Sequence, residues 1–448
     1  MHFDSFKEAV IRAAEKAGIT EYELYYQAGE STSVSAYLHE TNQFTASTEG
    51  GVCLRCIVDG KMGYASTEDL SESQAAVLLE RAADNARTLE SKDPVFLGEG
   101  GQEYEPLEIQ DYELPTTETL IAKVLETQEL IYAADKAVID GSTTQGISER
   151  SEFAIYNSKG LDLHYRNSVS GLVVAAVVTD GKEMANDYQI KLGALETLDN
   201  KEMADKAAQE ALRKLGGEPA PTGQYPVVFD PEAMSSLLQV FSSIFSSEVA
   251  QKGLSKLADK EGQIIASNLV TIVDDPFHKE NPMPINFDAE GSPTHCKKVV
   301  EKGVLNTLLY NLKTAAVAGK KTTGNASKAG YASDVAVRPF TMYLAGGETT
   351  EEELLEKAGK GVYINSLSGL HAGANAISGD FSLQSAGFLI ENGVKTVPVK
   401  SFTVAGNFYE LLKNITCVAD NCKLPGATGM TAFGAPTVLV EGLSVAGK

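Results

Sequence analysis

The sequence predicts an α+β protein of two domains, an N-terminal α+β meander domain over residues 1–215 and a mainly-β C-terminal domain over residues 224–448. Three observations support this division. The chain of 448 residues is longer than one ordinary compact core. A helical pattern stops at a stretch rich in Gly and Pro over residues 215–223. Beyond that stretch, short strand patterns alternate with Gly-rich turns, which is typical of a β-rich domain.

The N-terminal domain begins with an amphipathic helix and continues as a meander of strands predicted at residues 23–28, 32–38, 43–47 and 51–58. The last strand ends at Asp59-Gly60, a favoured hairpin turn. The same turn residues recur at Asp180-Gly181. This repetition indicates either a duplicated βα unit, with a break near residues 100–115, or two hairpins that share their turn chemistry.

Two helix starts are marked by capping residues. Ser71, followed three residues later by Gln74, has the sequence of a capping box. Asp230, Pro231 and Glu232 supply an N-cap, a proline at the first helical position and an acid in the first turn. We therefore expect a helix to begin at each place, the second directly after a strand over residues 225–229.

Charge and hydropathy narrow the classes of partner. The chain has 38 basic and 61 acidic side chains, a net charge of −23, and such a surface repels phosphate backbones and anionic lipids. Nucleic acid and membrane are therefore not expected as partners. The most apolar run, residues 172–178, is far shorter than the roughly 20 residues that cross a bilayer. With no signal-peptide pattern and five scattered cysteines, we expect a cytoplasmic protein.

The cysteine and histidine spacings give little support for a metal or redox centre. Cys53 and Cys56 have the spacing of a redox or zinc pair, but they lie in a predicted strand, where residues three apart point to opposite faces. His39-Glu40 begins like a zinc-binding helix signature, yet no second histidine follows at the required spacing. Both features are interpreted as structural or accidental.

Other catalytic motifs are missing as well. The sequence contains no phosphate-binding loop, no serine-hydrolase elbow and no dinucleotide fingerprint after a predicted strand. A metal site assembled across loops from His278, His295 and Cys422 is the alternative that depends on no resemblance. That alternative would make the protein an independent metal-dependent hydrolase.

A series of short motifs in the C-terminal half resembles the TldD/PmbA family, also called modulators of DNA gyrase. In chain order these are DAEGSP at 288–293, EKGVL at 301–305, TGN at 323–325, SGDFS at 378–382, FLIENG at 388–393, PVK at 398–400, AGN at 405–407 and GAP at 434–436. Each motif is short, but the ordered set is specific. The candidate peptide-groove or family-signature residues within them are Asp288, Glu290, Gly291, Gly324, Asn325, Asp380 and Glu391.

The resemblance implies a two-domain fold that acts on peptides, in which the TldD subunit carries H-E-x-x-x-H on the helix after the domain linker and a cysteine near the C-terminus. In this chain Gln239 stands at the first ligand position, Val240 at the general base and Ile244 at the second ligand. An amide is a poor zinc ligand, and two aliphatic side chains neither coordinate a metal nor accept a proton. Cys422 is a possible remnant ligand. These departures match the PmbA branch, also called TldE.

The leading hypothesis is therefore a PmbA/TldE-like, non-catalytic subunit of a TldD/TldE-type metallopeptidase system that degrades unstructured peptides. No cofactor is expected in this chain, and zinc is expected in a TldD-like H-E-x-x-x-H partner. The resemblance implies a heterodimer, with a homodimer as the alternative when the chain is alone. The other function classes are the independent hydrolase described above and a regulatory protein that binds and modulates DNA gyrase.

Overall fold

The computed structural model describes residues 3–91, 93–108, 112–425 and 431–448. Within these ranges the α-helices are α1 Phe3–Ala17, α2 Glu72–Thr88, α3 Thr117–Ala134, α4 Asn200–Arg213, α5 Pro231–Phe241, α6 Ser247–Gln251, α7 Leu312–Val317, α8 Glu351–Ala358, α9 Leu370–Gly373 and α10 Phe408–Lys413. Short 3-10 helices lie at Leu195–Thr197 and Ser242–Phe245.

The strands of the first half are β1 Tyr22–Tyr37, β2 Glu40–Val58, β3 Lys61–Thr67, β4 Thr143–Asn157, β5 Asp162–Thr179 and β6 Met184–Leu192. Those of the second half are β7 Gly223–Phe229, β8 Ile272–Asp274, β9 Lys297–Glu301, β10 Val304–Leu305, β11 Ala326–Ser327, β12 Ala336–Val337, β13 Thr341–Leu344, β14 Lys360–Ser368, β15 Asp380–Glu391, β16 Val394–Asn407, β17 Ile415–Val418, β18 Ala432–Gly434 and β19 Val438–Ala446. The predicted combination of helices and sheets is confirmed.

The first six strands form one antiparallel sheet in the order β3-β2-β1-β4-β5-β6. Along the chain the elements run α1-β1-β2-β3-α2 and then α3-β4-β5-β6-α4, so the same arrangement occurs twice. The two units meet where β1 pairs with β4. The Asp59-Gly60 and Asp180-Gly181 turns each follow the second strand of a unit, so the repeated turn sequence belongs to a repeated arrangement of elements.

The prediction of four short strands between residues 23 and 58 is wrong, because the structure has two long strands, β1 and β2, in their place. The Ser, Thr and Gly residues that were interpreted as breaks pair across the hairpin; Gly29, for example, is opposite Glu49. Ladder hydrogen bonds use the backbone, so weak β-formers can continue a strand whose backbone is paired with a neighbouring strand. The hairpin turns at Leu38 and His39, which both have positive φ.

The first sheet is covered on both faces over its inner half. Cys56 lies on the side of α1 and α2 with Phe6 and Leu79. Cys53 lies on the other side with Phe153 and Phe287. The predicted opposite orientation of the two cysteines is confirmed, and both thiols are free and buried. The face that carries Cys53 is the one on which the C-terminal half of the chain packs.

The C-terminal half contains two larger sheets, with strand orders β10-β9-β8-β13-β18 and β16-β15-β14-β7-β19-β17. Helix α5 packs against strands of both sheets, namely β18 of the first and β14 and β7 of the second. Its apolar side chains lie in one large core, where the ring of Phe241 stacks on that of Phe408 at a centroid distance of 4.5 Å. Among the helices described above, none has the length and apolar character needed to cross a bilayer.

The two predicted helix starts differ in whether the N-cap side chain forms a capping hydrogen bond. Asp230 is the N-cap of α5, and its Oδ1 accepts a hydrogen bond of 2.8 Å from the backbone N–H of Ala233. Ser71 is the N-cap of α2, but its side chain caps no backbone group and contacts the hydroxyl of Ser73 instead. The predicted capping box at Ser71 is therefore wrong, although the predicted helix start is correct.

A buried ion cluster ties the two halves together. Arg55 of β2 donates from Nε to Oε1 of Glu23 on β1 at 2.7 Å, and its Nη1 lies 3.7 Å from Oε1 of Glu290 in the C-terminal half. All three side chains are almost fully buried. Burial opposes the charge of Arg55, but Glu23 and Glu290 hold its pKa above the ordinary value. A buried cation with two buried anions fixes how the halves are oriented.

We expect Phe241→Ala to destabilise the protein by about 3–5 kcal/mol, because it empties a fully buried aromatic site. The measurement is the free energy of unfolding in urea. Gln239→Ala on the same helix is the matched control, and because Gln239 is exposed its effect should stay within about 0.5 kcal/mol. Equal losses for the two variants would contradict the core position of Phe241.

We expect Arg55→Met to cost about 3–5 kcal/mol, because it leaves Glu23 and Glu290 buried without their counter-ion. Arg12→Met is the control, since Arg12 pairs with Glu72 at the surface, where such a pair contributes about 0–1 kcal/mol. Urea unfolding of both variants checks the difference. A small loss for Arg55→Met would show that the halves are held without the ion cluster.

Candidate functional site

A cavity of about 1010 Å³ lies between the two halves of the chain. Its N-terminal wall is the edge strand β6 together with one face of α4. Its C-terminal wall includes the exposed face of α5, part of β14 and residues 423–425. The volume is at the upper end of the range for small-molecule sites, which leaves room for a short extended peptide.

The wall formed by β6 presents to the cavity backbone groups that pair with no neighbouring strand. The N–H of Gly193 donates to the carbonyl of Ser170 on β5, so alternate residues Tyr188 and Ile190 point their backbone groups away from β5. The N–H of Tyr188 donates to its neighbour Asp187, and Lys214 donates to the carbonyl of Asn186. Side chains of the protein thus occupy part of an edge that another strand could pair with.

Opposite β6, the first turn of α5 carries two carboxylates. Burial, with contributions from Glu232 and Glu351, raises the pKa of Asp230 to about 7, although the hydrogen bond from the backbone of Ala233 lowers it. The pKa of Glu232 is also raised by burial, although it accepts a hydrogen bond of 2.8 Å from the hydroxyl of Tyr188. That bond connects the β6 wall to the α5 wall across the cavity.

A third wall is formed around Glu351, the first residue of α8. Its Oε1 accepts from Nζ of Lys395 at 2.8 Å and from the hydroxyl of Tyr363 at 3.2 Å. Lys395 also lies 4.0 Å above the ring of Tyr363. Burial opposes ionisation of Glu351, but Lys395 and Tyr363 hold its pKa below the ordinary value. The wall is therefore a fixed, ionised group of side chains.

The positions that would hold zinc in an H-E-x-x-x-H subunit do not fit a metal here. Gln239 is exposed and lines the cavity, while Val240 is half-buried. Ile244 lies in the 3-10 helix after α5, fully buried in the core beside Phe245. One amide and two aliphatic side chains provide neither a ligand set nor a general base.

Cys422 lies beside the cavity, next to the lining residue Lys423. Its Sγ is 3.4 Å from the carbonyl oxygen of Leu344. Burial, with a contribution from Glu280, raises the pKa of the Cys422 thiol to about 11. The surroundings of Cys422 therefore favour the neutral thiol.

The histidines of the alternative metal set are used in other ways. The ring of His278 packs edge-on against Tyr343 at 5.0 Å, and its Nδ1 accepts from the backbone of Glu280. The pKa of His295 is lowered by burial and by Lys297. In the four described ranges, no three His, Cys, Asp or Glu side chains are arranged so that they could hold a metal ion.

The signature residues Asp288, Glu290 and Gly291 lie at the contact between the two halves. Oδ1 of Asp288 accepts from the backbone N–H groups of Glu290 and Ser292, which closes a tight turn. Burial and Glu290 together raise the pKa of Asp288. Glu290 contacts Arg55 as described above. Gly291 has φ +75, and a Cβ there would lie 2.4 Å from the side chain of Leu161.

The remaining candidates are structural or exposed. Gly324 has φ +66, and a Cβ there would lie 2.3 Å from the carbonyl of Pro293. Asn325 donates to the buried carboxylate of Asp274 at 2.8 Å. Asp380 is exposed and accepts from Asn407, whereas Glu391 is exposed at the end of β15. The structure brings Asp288, Glu290 and Gly291 together, and it places Asp380 and Glu391 elsewhere.

Sequence reasoning missed most of the cavity wall. Tyr188, Glu351 and Lys395 come from three distant segments, and no local spacing connects them. Asp230 and Glu232 were identified only as a helix start. One signal for the cavity wall was available in the sequence: two acids stand at the start of the helix that carries Gln239. A helix with a polar N-terminal turn and a polar outer face has that face outside the core.

Comparison with known proteins agrees with this architecture. Residues 222–447 match the model of the PmbA/TldA metallopeptidase C-terminal domain, residues 111–215 its central domain and residues 22–86 its domain 1. Metalloprotease PmbA of Escherichia coli O157:H7 is 26% identical over 400 residues, which cover 87% of this chain and 85% of that protein.

Two solved structures share the fold. A Thermotoga maritima protein named for a proposed modulation of a DNA gyrase is 32% identical, with a TM-score of 0.90 over 99% of this chain and 100% of that one. TldE from Thermococcus kodakarensis has a TM-score of 0.88 at 24% identity, over 99% of this chain and 100% of that one. From the C-terminal match alone, which spans more than half of the sequence, the chain belongs to the PmbA/TldD metallopeptidase family.

Proposed function

We propose that this chain is the PmbA/TldE-type subunit of a two-subunit peptidase, without a zinc centre of its own. The observation that supports this most directly is the segment that runs from α5 into the next 3-10 helix, where Gln239 is a poor metal ligand and Val240 and Ile244 have no donor atom. The zinc and the general base would come from an H-E-x-x-x-H subunit of the same fold. This chain would contribute walls that hold the peptide.

The cavity suits an extended peptide better than a compact ligand. One wall is the free edge of β6, where backbone groups of Tyr188 and Ile190 point outward. An added strand gains affinity from backbone hydrogen bonds, which do not depend on peptide sequence. The side-chain contacts that Asp187 and Lys214 make to this edge are exchanged for peptide contacts when a strand adds.

The lining also supports tolerance of different peptides. Lysines and carboxylates alternate around the cavity, so neither sign of charge is excluded from it. Apolar surface is supplied by Ile190, Phe388 and Phe433. All five cysteines are free thiols, in keeping with the proposed cytoplasmic location.

We expect the isolated chain to bind no stoichiometric zinc and to leave unstructured peptides uncleaved, because the residues on α5 provide neither ligands nor a base. Elemental analysis of the purified protein and digestion of casein fragments check this. A chelator-treated sample is the control. Zinc near one atom per chain, together with chelator-sensitive cleavage, would replace this proposal with the independent hydrolase.

We expect a mixture of this chain with its H-E-x-x-x-H subunit to cleave peptides that neither subunit cleaves alone. The measurement combines size-exclusion chromatography of the mixture with a peptide-cleavage assay. Separate elution and unchanged activity would contradict the partner role, and would leave the regulatory protein as the next candidate.

The edge of β6 offers a matched pair of variants for the same assay. Ile190→Pro removes an N–H that points into the cavity, while the ladder between β5 and β6 keeps its bonds. Ile190→Val keeps that N–H. Cleavage should fall with the proline variant and persist with valine, whereas complex formation should persist with both. Equal activity of the two variants would show that the peptide does not pair with β6.

A further inference from the structure

The outer half of β2 is a second free edge of the first sheet, on the side opposite β6. Residues 40–49 of this strand are all exposed. The inner half pairs with β3, which ends at Thr67 opposite Val52. Up to residue 51, the described parts of the chain place no strand beside this edge. The C-terminal half reaches it at Gly51, where the ring of Tyr331 packs on the backbone.

The register shows which backbone groups of this edge are free. The N–H of Ile57 donates to the carbonyl of Glu21, on the β1 side of β2. Because groups alternate along an antiparallel strand, the backbone of Thr45 also points toward β1, whereas those of Phe44, Ala46 and Thr48 point outward. At least three successive outward-facing residues, Phe44, Ala46 and Thr48, are therefore available to a pairing strand.

This edge lacks the features that usually prevent pairing. Residues 40–51 include no Lys, Arg or Pro, and their only acids are Glu40 and Glu49 near the ends. Phe44 keeps 49% of its surface exposed on the helix-covered side of the sheet, beyond Val34. An exposed aromatic side chain on an unprotected edge indicates a surface that is covered in the assembled protein.

We propose that this edge pairs in antiparallel register with the same edge of a second copy of this chain, about a twofold axis at Thr45. That register places Phe44 of each copy opposite Ala46 of the other, so each aromatic ring lies over a small side chain. Thr45 is opposite Thr45, a favourable cross-strand pair. Gln43 is opposite Ser47, so the regular part of this register pairs only uncharged side chains.

The free length of the edge matches this register. The segment runs from the hairpin turn at Leu38 and His39 to Val52, where the pairing of β2 with β3 begins. Pairing centred on Thr45 uses residues 43–47 of each copy, between the bulge at Asn42 and Val52, so neither copy meets the β3 of its partner. The two six-stranded sheets become one, in an isologous dimer. The cavity lies at the other edge, so this inference is independent of the proposed function.

The test is site-directed cross-linking of the full chain. In the proposed register the two Thr45 Cα atoms are a non-hydrogen-bonded pair about 4.5 Å apart, within the range of a disulfide. Thr45→Cys should form a covalent dimer under mild oxidation. Thr41→Cys and the parent chain, which has an exposed Cys296, are the controls and should not. Absence of the Thr45→Cys dimer, or equal cross-linking of Thr41→Cys, would overturn the proposal.

A second pair of variants tests the backbone contacts. Ala46→Pro removes an outward N–H in both copies but keeps the bonds to β1, so dimerisation measured by analytical ultracentrifugation should weaken about tenfold or more. Ala46→Ser keeps the N–H and should dimerise like the parent, with circular dichroism confirming that both variants are folded. A parent chain that is monomeric at micromolar concentration, or a Thr45→Cys that cross-links only to an H-E-x-x-x-H subunit, would also overturn the inference.

Discussion

The position of Arg55 between Glu23 and Glu290 is the constraint on which the arrangement of the two halves depends. A guanidinium stays charged when it is buried, so its desolvation is costly unless carboxylates offset it, and here they come from both halves of the chain. The neighbouring aromatic contact between Phe153 and Phe287, at 5.6 Å, adds area but little orientation. With this face of the sheet fixed, β6 and α5 are held apart across the cavity.

A feature of the fold could be predicted from the sequence when it depends on interactions between residues that are close together in the chain. The start of α5 depends on Asp230 and Pro231 alone, so capping rules located it correctly. The opposite faces of Cys53 and Cys56 follow from strand geometry once a strand is assumed. The length of β1 and β2 does not, because their Ser- and Gly-rich centres are strands through pairing with each other and, for β1, with β4 far along the chain.

The same distinction applies to the site. Gln239 could be assigned because it occupies a known position on one helix, and the structure places it on the cavity wall. Asp288 and Glu290 were candidates for a peptide groove, yet their contacts close a turn and bind Arg55. A short sequence motif identifies residues without showing whether they are needed for folding or for binding. The cavity wall around Glu351 and Lys395 exists only after the sheets have assembled.

Ile244 stands at the position that corresponds to the second zinc ligand of an H-E-x-x-x-H subunit. A catalytic zinc ligand points its donor atom at a site open to water, whereas Ile244 is fully buried and joins Phe241 and Phe245 in one apolar cluster. The helix thereby gains hydrophobic stabilisation at a position that a ligand would occupy at a cost. Gln239 keeps the exposed side of the helix polar, so this side still forms a wall of the cavity. Under the proposed function, the charged lining and the free strand edge are what this chain contributes to peptide binding.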